Sequence, residues 1–301
     1  MTAPSTLEGV EPRRLSQVGF RAIVRALLKH KLSRVGLVII VLLFLMAIFA
    51  PLLAPYHPNE QDLYNVLQGP SKKHWLGTDN VGRDLLSRVI YGARLSMSVS
   101  VIATAFSAAI GVIVGLIAGY RGGVIDQVIM RITDTFMVIP GLVFVLIMAS
   151  ALGPGIKNVV IAIILFTWPG FARIIRGQVL SVRELPYVEA ARASGSSGVR
   201  IMFKHLLPNS LAPVIVASAL SLGMAVGIEA GAAFLGVGVQ PPTPSWGKAL
   251  RTGYSYLERV PLFSFAPGLL ITLAVLSFTL VGDGLRDALD PRLRGEGKKI
   301  K

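Results

Sequence analysis

The chain contains no cysteine in 301 residues, which removes disulfides, thiolate metal sites and a cysteine nucleophile together. Charge is also scarce. Asp, Glu, Lys and Arg make up 15% of the sequence, against about 25% in soluble domains. A G-x-x-x-x-G-K-[ST] run is missing, so the chain lacks the phosphate-cradling loop on which that class of ATPase depends. The four histidines, His30, His57, His74 and His205, all lie outside the long apolar runs. An intramembrane enzyme needs a nucleophile or metal cluster at bilayer depth, and these absences argue against one. A proton- or ion-coupled carrier shows ionisable groups in several spans, whereas only Asp134 and Glu229 stand out within or at the edge of an apolar run here.

What is abundant is hydrophobic sequence, 53% of the chain. Six apolar segments are long enough for a hydrocarbon core that takes roughly 20 helical residues to cross. They lie near Val35–Ala54, Leu95–Gly119, Ile132–Leu152, Val159–Gln178, Leu211–Val237 and Leu262–Leu285. In lipid such segments must be helical, because any other isolated conformation leaves backbone polar groups unpaired. The expected class is an all-α membrane protein with six transmembrane helices. Residues 1–34 form a basic amino-terminal segment, 35–54 a first anchor and 55–94 an extracytoplasmic segment. A five-helix core occupies 95–285, with a polar connection at 187–210, and 286–301 is a basic tail.

The net charge of +14 would suggest nucleic acid in a soluble protein, but here the charges flank the apolar runs and nucleic acid is excluded as a partner. Of the 30 Lys and Arg residues, 21 fall in the amino-terminal segment, around the second and fourth connections and in the tail. The positive-inside rule places that face, and both termini, on the cytoplasmic side of the membrane. The first apolar run is too long for a secretory signal and is expected to be an uncleaved anchor. Ahead of it, Phe20, Ile23, Val24, Leu27 and Leu28 follow helical spacing with Arg21, Arg25 and Lys29 on other faces. This predicts an interfacial amphipathic helix, the alternative being a merely solvated basic leader.

Two external stretches invite structure. In the first, Thr78 or Asp79 is expected to cap a separate helix carrying Leu85, Leu86, Val89 and Ile90 on its apolar face. In the second, Pro241, Pro242 and Pro244 delay a short helix until Ser245, leaving open whether it meets substrate or only packs the bundle. Gly111, Gly115 and Gly119, four apart, predict close approach of another helix.

The most informative run is YVEAARASGSSGVRIMFKHLLPNS, Tyr187–Ser210. Glu189, Ala190 and Ala191 start a helix, Gly195 breaks it, and Pro208 is expected to close a second turn before the fifth span. This pattern resembles the cytoplasmic EAA loop of the membrane subunits of ATP-binding cassette importers, matched at Glu189, Ala190, Ala191, Gly195, Leu207 and Pro208. His205 stands where the general pattern has isoleucine. KHLLPN is similar to the RHILPN form of the peptide-importer branch. GTDNVGRDLLSRVIYGARLS, GYRGGVIDQVIMRITDTFMVIP, FLGVGVQPPTPSWGKAL and VGDGLRDALDPRLR likewise resemble successive signatures of the C-type permease subunit in dipeptide, oligopeptide and nickel importers. The resemblance implies a type I importer permease fold whose loop helix is the coupling helix. It further implies a heterodimer with a B-type permease, two ATPase subunits that carry ATP and Mg, and an extracytoplasmic substrate-binding protein. No cofactor is expected on this chain itself, and no metal site.

A charged group at the centre of a span costs at least about 2.5–3.5 kcal/mol, so Glu229 must face protein or water. Two readings remain: a group lining or gating the translocation path, or an interhelical hydrogen bond that fixes packing. Trp168 and Pro169 also belong to the candidate path, since a mid-span proline kinks a helix into a hinge or a fixed bend. Asp134 is expected to pair with Arg131 one turn away.

Overall fold

The structure, a computed structural model, describes Val24, Leu27, Leu28 and residues 30–289. Helices dominate: α1 (Lys31–Ile48, continued by the turn Ala50–Leu53), α2 (Leu85–Arg121), α3 (Gly123–Met137), α4 (Gly141–Leu152), α5 (Ile156–Val182), α6 (Pro186–Ala193), α7 (Gly198–Leu235), α8 (Trp246–Tyr254) and α9 (Leu262–Leu289). Among the described residues, five helices are long and apolar enough to cross a membrane, and α3 with α4 supplies a sixth crossing if the bent pair counts as one.

The central contact is between α2 and α5, and the glycine stripe explains it. A Cβ on Gly111 would stand 2.5 Å from the Trp168 carbonyl oxygen, and one on Gly119 would stand 2.8 Å from Val179 Cβ. On Gly115 it would overlap the Ala172 carbonyl oxygen. Small residues let the two backbones approach, which is how helices gain dispersion contacts in lipid, where burial from water contributes little. Around this pair α7 packs on α2, α5 and α9, and α1 packs on α9 and α2. Val99, Ala103, Val145, Val159, Ile163 and Ala225 fill the space between.

Three expectations need correction. The external helix is not separate from the second span: α2 runs unbroken for 37 residues, about 55 Å at 1.5 Å per residue. Its cap is Asp84, whose Oδ2 accepts from the Ser87 N–H and hydroxyl, both at 2.7 Å. Thr78 and Asp79 organise the preceding loop instead. The Thr78 hydroxyl donates to the Asn65 carbonyl at 2.6 Å, and Asp79 Oδ1 accepts from the N–H groups of Val81 and Arg83, each at 2.9 Å.

The third span is not straight. α3 and α4 meet at 90°, and α4 alone, at 12 residues, covers only about 18 Å, too little to cross a core of roughly 30 Å. Pro140 caps α4 without a donor of its own, and Gly141 lies against Phe166, whose Cε1 would be 2.6 Å from an added Cβ. The rings of Phe136, Phe144, Phe166 and Trp168 fill the corner, with centroids 5.8 to 6.1 Å apart along the cluster. Finally, Asp134 accepts from Arg173 of α5 at 2.6 Å, not from Arg131, because packing of α3 on α5 brings the second arginine within reach.

The expected amphipathic segment Phe20–Lys29 falls largely outside the described residues. Within it Leu27 is buried at 8% exposure beside Gly284 of α9. The basic tail beyond Leu289 also lies outside them. The bundle has two distinct ends. At one, here the loop end, residues 55–84 and the 237–261 connection come together: the Trp246 indole N–H donates to the Val89 carbonyl at 2.8 Å and Arg88 Nη1 to the Pro58 carbonyl at 2.9 Å. At the other, the α6 end, the ends of α2 and α5 and the start of α7 converge.

Candidate functional site

α6 begins with Leu185 in extended backbone and Pro186 in the first turn, where the missing N–H costs nothing. Val188 is fully buried among Val179, Val182, Ile201 and Leu206. Glu189 and Ala190 are exposed and Ala191 is half-buried, so Val188, with Tyr187 packed beside it, seats the helix while Glu189 and Ala190 face outward. Two bonds close its end. The Ser196 N–H bonds the Ala191 carbonyl at 3.1 Å and the Gly195 N–H bonds the Arg192 carbonyl at 3.0 Å, the paired pattern of a Schellman motif. Gly195 has φ +76°, and a Cβ there would meet nothing within 4 Å. Backbone conformation, not crowding, selects glycine here, and the surface around it is open.

The protrusion is held rigidly to the bundle. Arg183 Nη1 donates to the Gly119 carbonyl at 2.8 Å, joining the carboxyl ends of α5 and α2. Gly198, opening α7, lies 2.9 Å, measured from an added Cβ, from the Tyr120 hydroxyl. Asp126, at 8% exposure, takes two parallel bonds from Arg176 at 2.7 and 2.6 Å, the bidentate geometry that makes such pairs strong. That pair links α3 to α5. Sequence reasoning passed over it, because 50 residues separate the partners and no local pattern joins them.

Pro208 does not close a turn; α7 continues through it. Residues Ile201–Leu206 form a π-helical stretch, in which the Leu207 N–H reaches back to the Met202 carbonyl. The wider turn makes room for a proline ring that would clash with the carbonyl four residues earlier in a regular α-helix. Leu207 packs at the edge of the Val188 cluster, Pro208 is exposed, and the His205 ring sits 6.4 Å from that of Tyr187. All seven expected loop residues thus lie at the α6 end, though only Glu189, Ala190 and Gly195, with Pro208, are exposed.

Glu229 lies far from them. It is fully buried in the last two turns of α7, near the loop end. Its Oε2 accepts from the Ser96 hydroxyl of α2 at 2.9 Å, and its Oε1 from the Ser245 hydroxyl at 3.2 Å. Ser245 in turn caps α8, accepting from the Lys248 N–H at 3.5 Å. One carboxyl group therefore links α7, α2 and α8. Trp168 and Pro169, both buried, sit mid-way along α5, with the indole ring edge-on to Phe136 at 5.8 Å. The hydrogen-bond partners of Glu229 are Ser96 and Ser245, and neither Trp168 nor Pro169 is among them. Among the described residues no three of His, Asp and Glu gather as a metal-binding group.

Residues 111–295 match the family of binding-protein-dependent transport system inner membrane components, and residues 20–70 match the N-terminal transmembrane domain of oligopeptide transport permease C. The chain is 44% identical over 275 residues to the dipeptide transport system permease protein of Alkalihalophilus pseudofirmus, covering 91% of this chain and 90% of that protein. It is 42% identical to the oligopeptide transport system permease protein of Bacillus subtilis, covering 88% and 87%. The glutathione transport system permease protein of Pectobacterium atrosepticum is 40% identical, with 90% of each chain covered. In fold it is similar to a chain of the MetNI methionine ABC transporter in an inward-facing conformation, with a TM-score of 0.55, 20% identity, and 68% of this chain and 98% of that chain covered. A multi-pass helical bundle with this coverage by one family and by its curated members leads to one assignment: the chain belongs to the binding-protein-dependent transport system inner membrane components, with the fold of a type I ABC importer permease.

Proposed function

We propose that this chain is one permease subunit of an ATP-driven importer of dipeptides and oligopeptides, forming half of the path through the inner membrane. Its partners are a B-type permease chain in a heterodimer, two ATPase subunits that bind ATP and Mg, and an extracytoplasmic binding protein that delivers cargo. The α6 end faces the cytoplasm, as do both termini, because 21 of the 30 Lys and Arg residues gather on that face. Peptide cargo is supported by the relatives named for dipeptide and oligopeptide transport.

The observation that carries the mechanism is the exposed segment Glu189–Gly195, held by buried Val188 and by Arg183 to the ends of α5, α2 and α7. A partner seated on that segment moves a rigid unit. Trp168 stands where α5 meets the α3–α4 corner, edge-on to Phe136, with Pro169 next to it in the helix, so a push on α6 carried along α5 reaches the bent pair there. Glu229 is the tie at the opposite end that holds α2, α7 and α8 together while the pathway opens and closes. Because a partner can shift an equilibrium only by contacting its two states differently, loss of docking at α6 breaks the link to ATP hydrolysis.

Gly195→Trp and Glu189→Lys test this. An added Cβ at Gly195 meets nothing within 4 Å and Glu189 is exposed, so both variants should insert and pair with the B-type chain. Pull-down of the ATPases and substrate-stimulated ATP hydrolysis in reconstituted vesicles should be lost together with uptake. Normal coupled uptake by either variant would show that α6 is not the transmission element.

A further inference from the structure

The loop end holds a cluster of cations that the transport reading does not use. Arg83, Arg88 and Lys248 line one cavity of about 40 Å³ together with Asp79 and Thr252. Asp79 is the carboxylate of that lining, and its capacity is already taken. It is fully buried; Oδ1 accepts two backbone N–H groups at 2.9 Å, and Oδ2 faces Arg83 Nε at 2.6 Å and Arg88 Nε at 3.6 Å. Arg88 turns its Nη1 to the Pro58 carbonyl at 2.9 Å. Lys248 has no carboxylate within salt-bridge distance among the described residues. Burial, and then the neighbouring Arg251, Arg88 and Arg83, hold its ammonium below the ordinary lysine value.

Three positive groups thus share a small cavity with one saturated negative group. Like charges in a partly desolvated site repel, and the arrangement is relieved by a counter-ion. The volume sets the size of that ion. One water needs about 10–15 Å³ of such space, so the cavity admits a halide or a single carboxylate group and is too small for the body of a peptide.

We propose that this cavity is a binding site for a small monovalent anion, held by the Lys248 ammonium with the Arg83 and Arg88 guanidinium groups. The anion joins α8 to the 55–84 segment, since Lys248 comes from one and Arg83 from the end of the other. Arg88, in the first turn of α2, completes the cradle. Binding to the folded state alone stabilises it by mass action.

The test uses the full-length chain in its assembled complex in nanodiscs, with chloride as the first probe. Replacing gluconate by chloride at constant ionic strength should raise the thermal unfolding midpoint along a saturable curve. Formate is titrated in the same way: saturation by either ion supports the site, and the tighter of the two distinguishes a halide from a carboxylate occupant. Lys248→Gln should weaken half-saturation by about 10-fold or more, the loss expected for one charge-assisted hydrogen bond. Lys248→Arg should retain most of the response. Lys72→Gln, an exposed change in the same external segment, should leave the curve unchanged. A bromide soak should give an anomalous peak beside Lys248. A wild-type midpoint indifferent to both ions, or an identical curve for Lys248→Gln, would overturn the proposal.

Discussion

Glu229 and Gly195 show how differently two single residues act. The Glu229 carboxyl has both oxygens occupied by serine hydroxyls in a site with no exposure, so removing a donor strands an acceptor. Ser96→Ala should therefore destabilise the protein by about 1–3 kcal/mol, the cost of an unsatisfied buried polar atom, read as a lower unfolding midpoint in detergent. Glu229→Gln keeps the shape and one acceptor and should assemble normally; a change in resting ATPase activity of that variant would assign the residue to the transport cycle. At Gly195 there is no packing to lose. Gly195→Ala places a side chain at φ +76°, which should cost about 1 kcal/mol and leave the fold intact, as checked by size-exclusion behaviour and by ATPase pull-down near wild-type level.

For the helices, the decisive feature is the backbone contact of α2 with α5. Gly115→Leu drives a side chain into the Ala172 carbonyl; overpacking of this kind costs about 1–3 kcal/mol or more, and the variant should accumulate poorly as folded protein in the membrane. Gly170→Ala is the control. It lies on the same α5 helix, but an added Cβ meets nothing within 4 Å, and alanine suits a helix better than glycine, so accumulation should match wild type. The stripe Gly111, Gly115, Gly119 was readable because a four-residue period is a local property of the chain. The bend between α3 and α4 was not read, although Pro140 and Gly141 mark its place. Hydropathy runs smoothly through Phe136–Leu142, and only the ring cluster of Phe136, Phe144, Phe166 and Trp168, drawn from two separate stretches of sequence, turns a tolerated proline into a right-angled corner.

The whole molecule is organised by its two ends. Ser197 and Thr243 are both exposed and lie at opposite ends. In this cysteine-free chain, single cysteines at the two positions should label from opposite sides of the membrane, Ser197 from the cytoplasm. Labelling of both from outside with an impermeant reagent would sink the six-span topology. The arrangement of contacts supports the division independently of charge: Arg88 and Trp246 join the 55–84 segment to the 237–261 connection, while Arg183, Tyr120 and Gly198 gather the other end.

Composition and periodicity alone determined the helical membrane class, the positions of the apolar runs, the short α8 behind its prolines and the helix that Gly195 breaks after Glu189. These depend on local quantities: hydropathy over about 20 residues, and the dihedral and donor requirements of glycine and proline. The tertiary structure alone decided that α2 is capped by Asp84, that Pro208 is absorbed by a π turn, that Asp126 finds Arg176, and that Glu229 is met by Ser96 and Ser245. Each of these depends on which distant side chain or turn arrives within about 3 Å, the reach of a hydrogen bond. That distance is set by the packing of whole helices and leaves no periodic trace in the sequence.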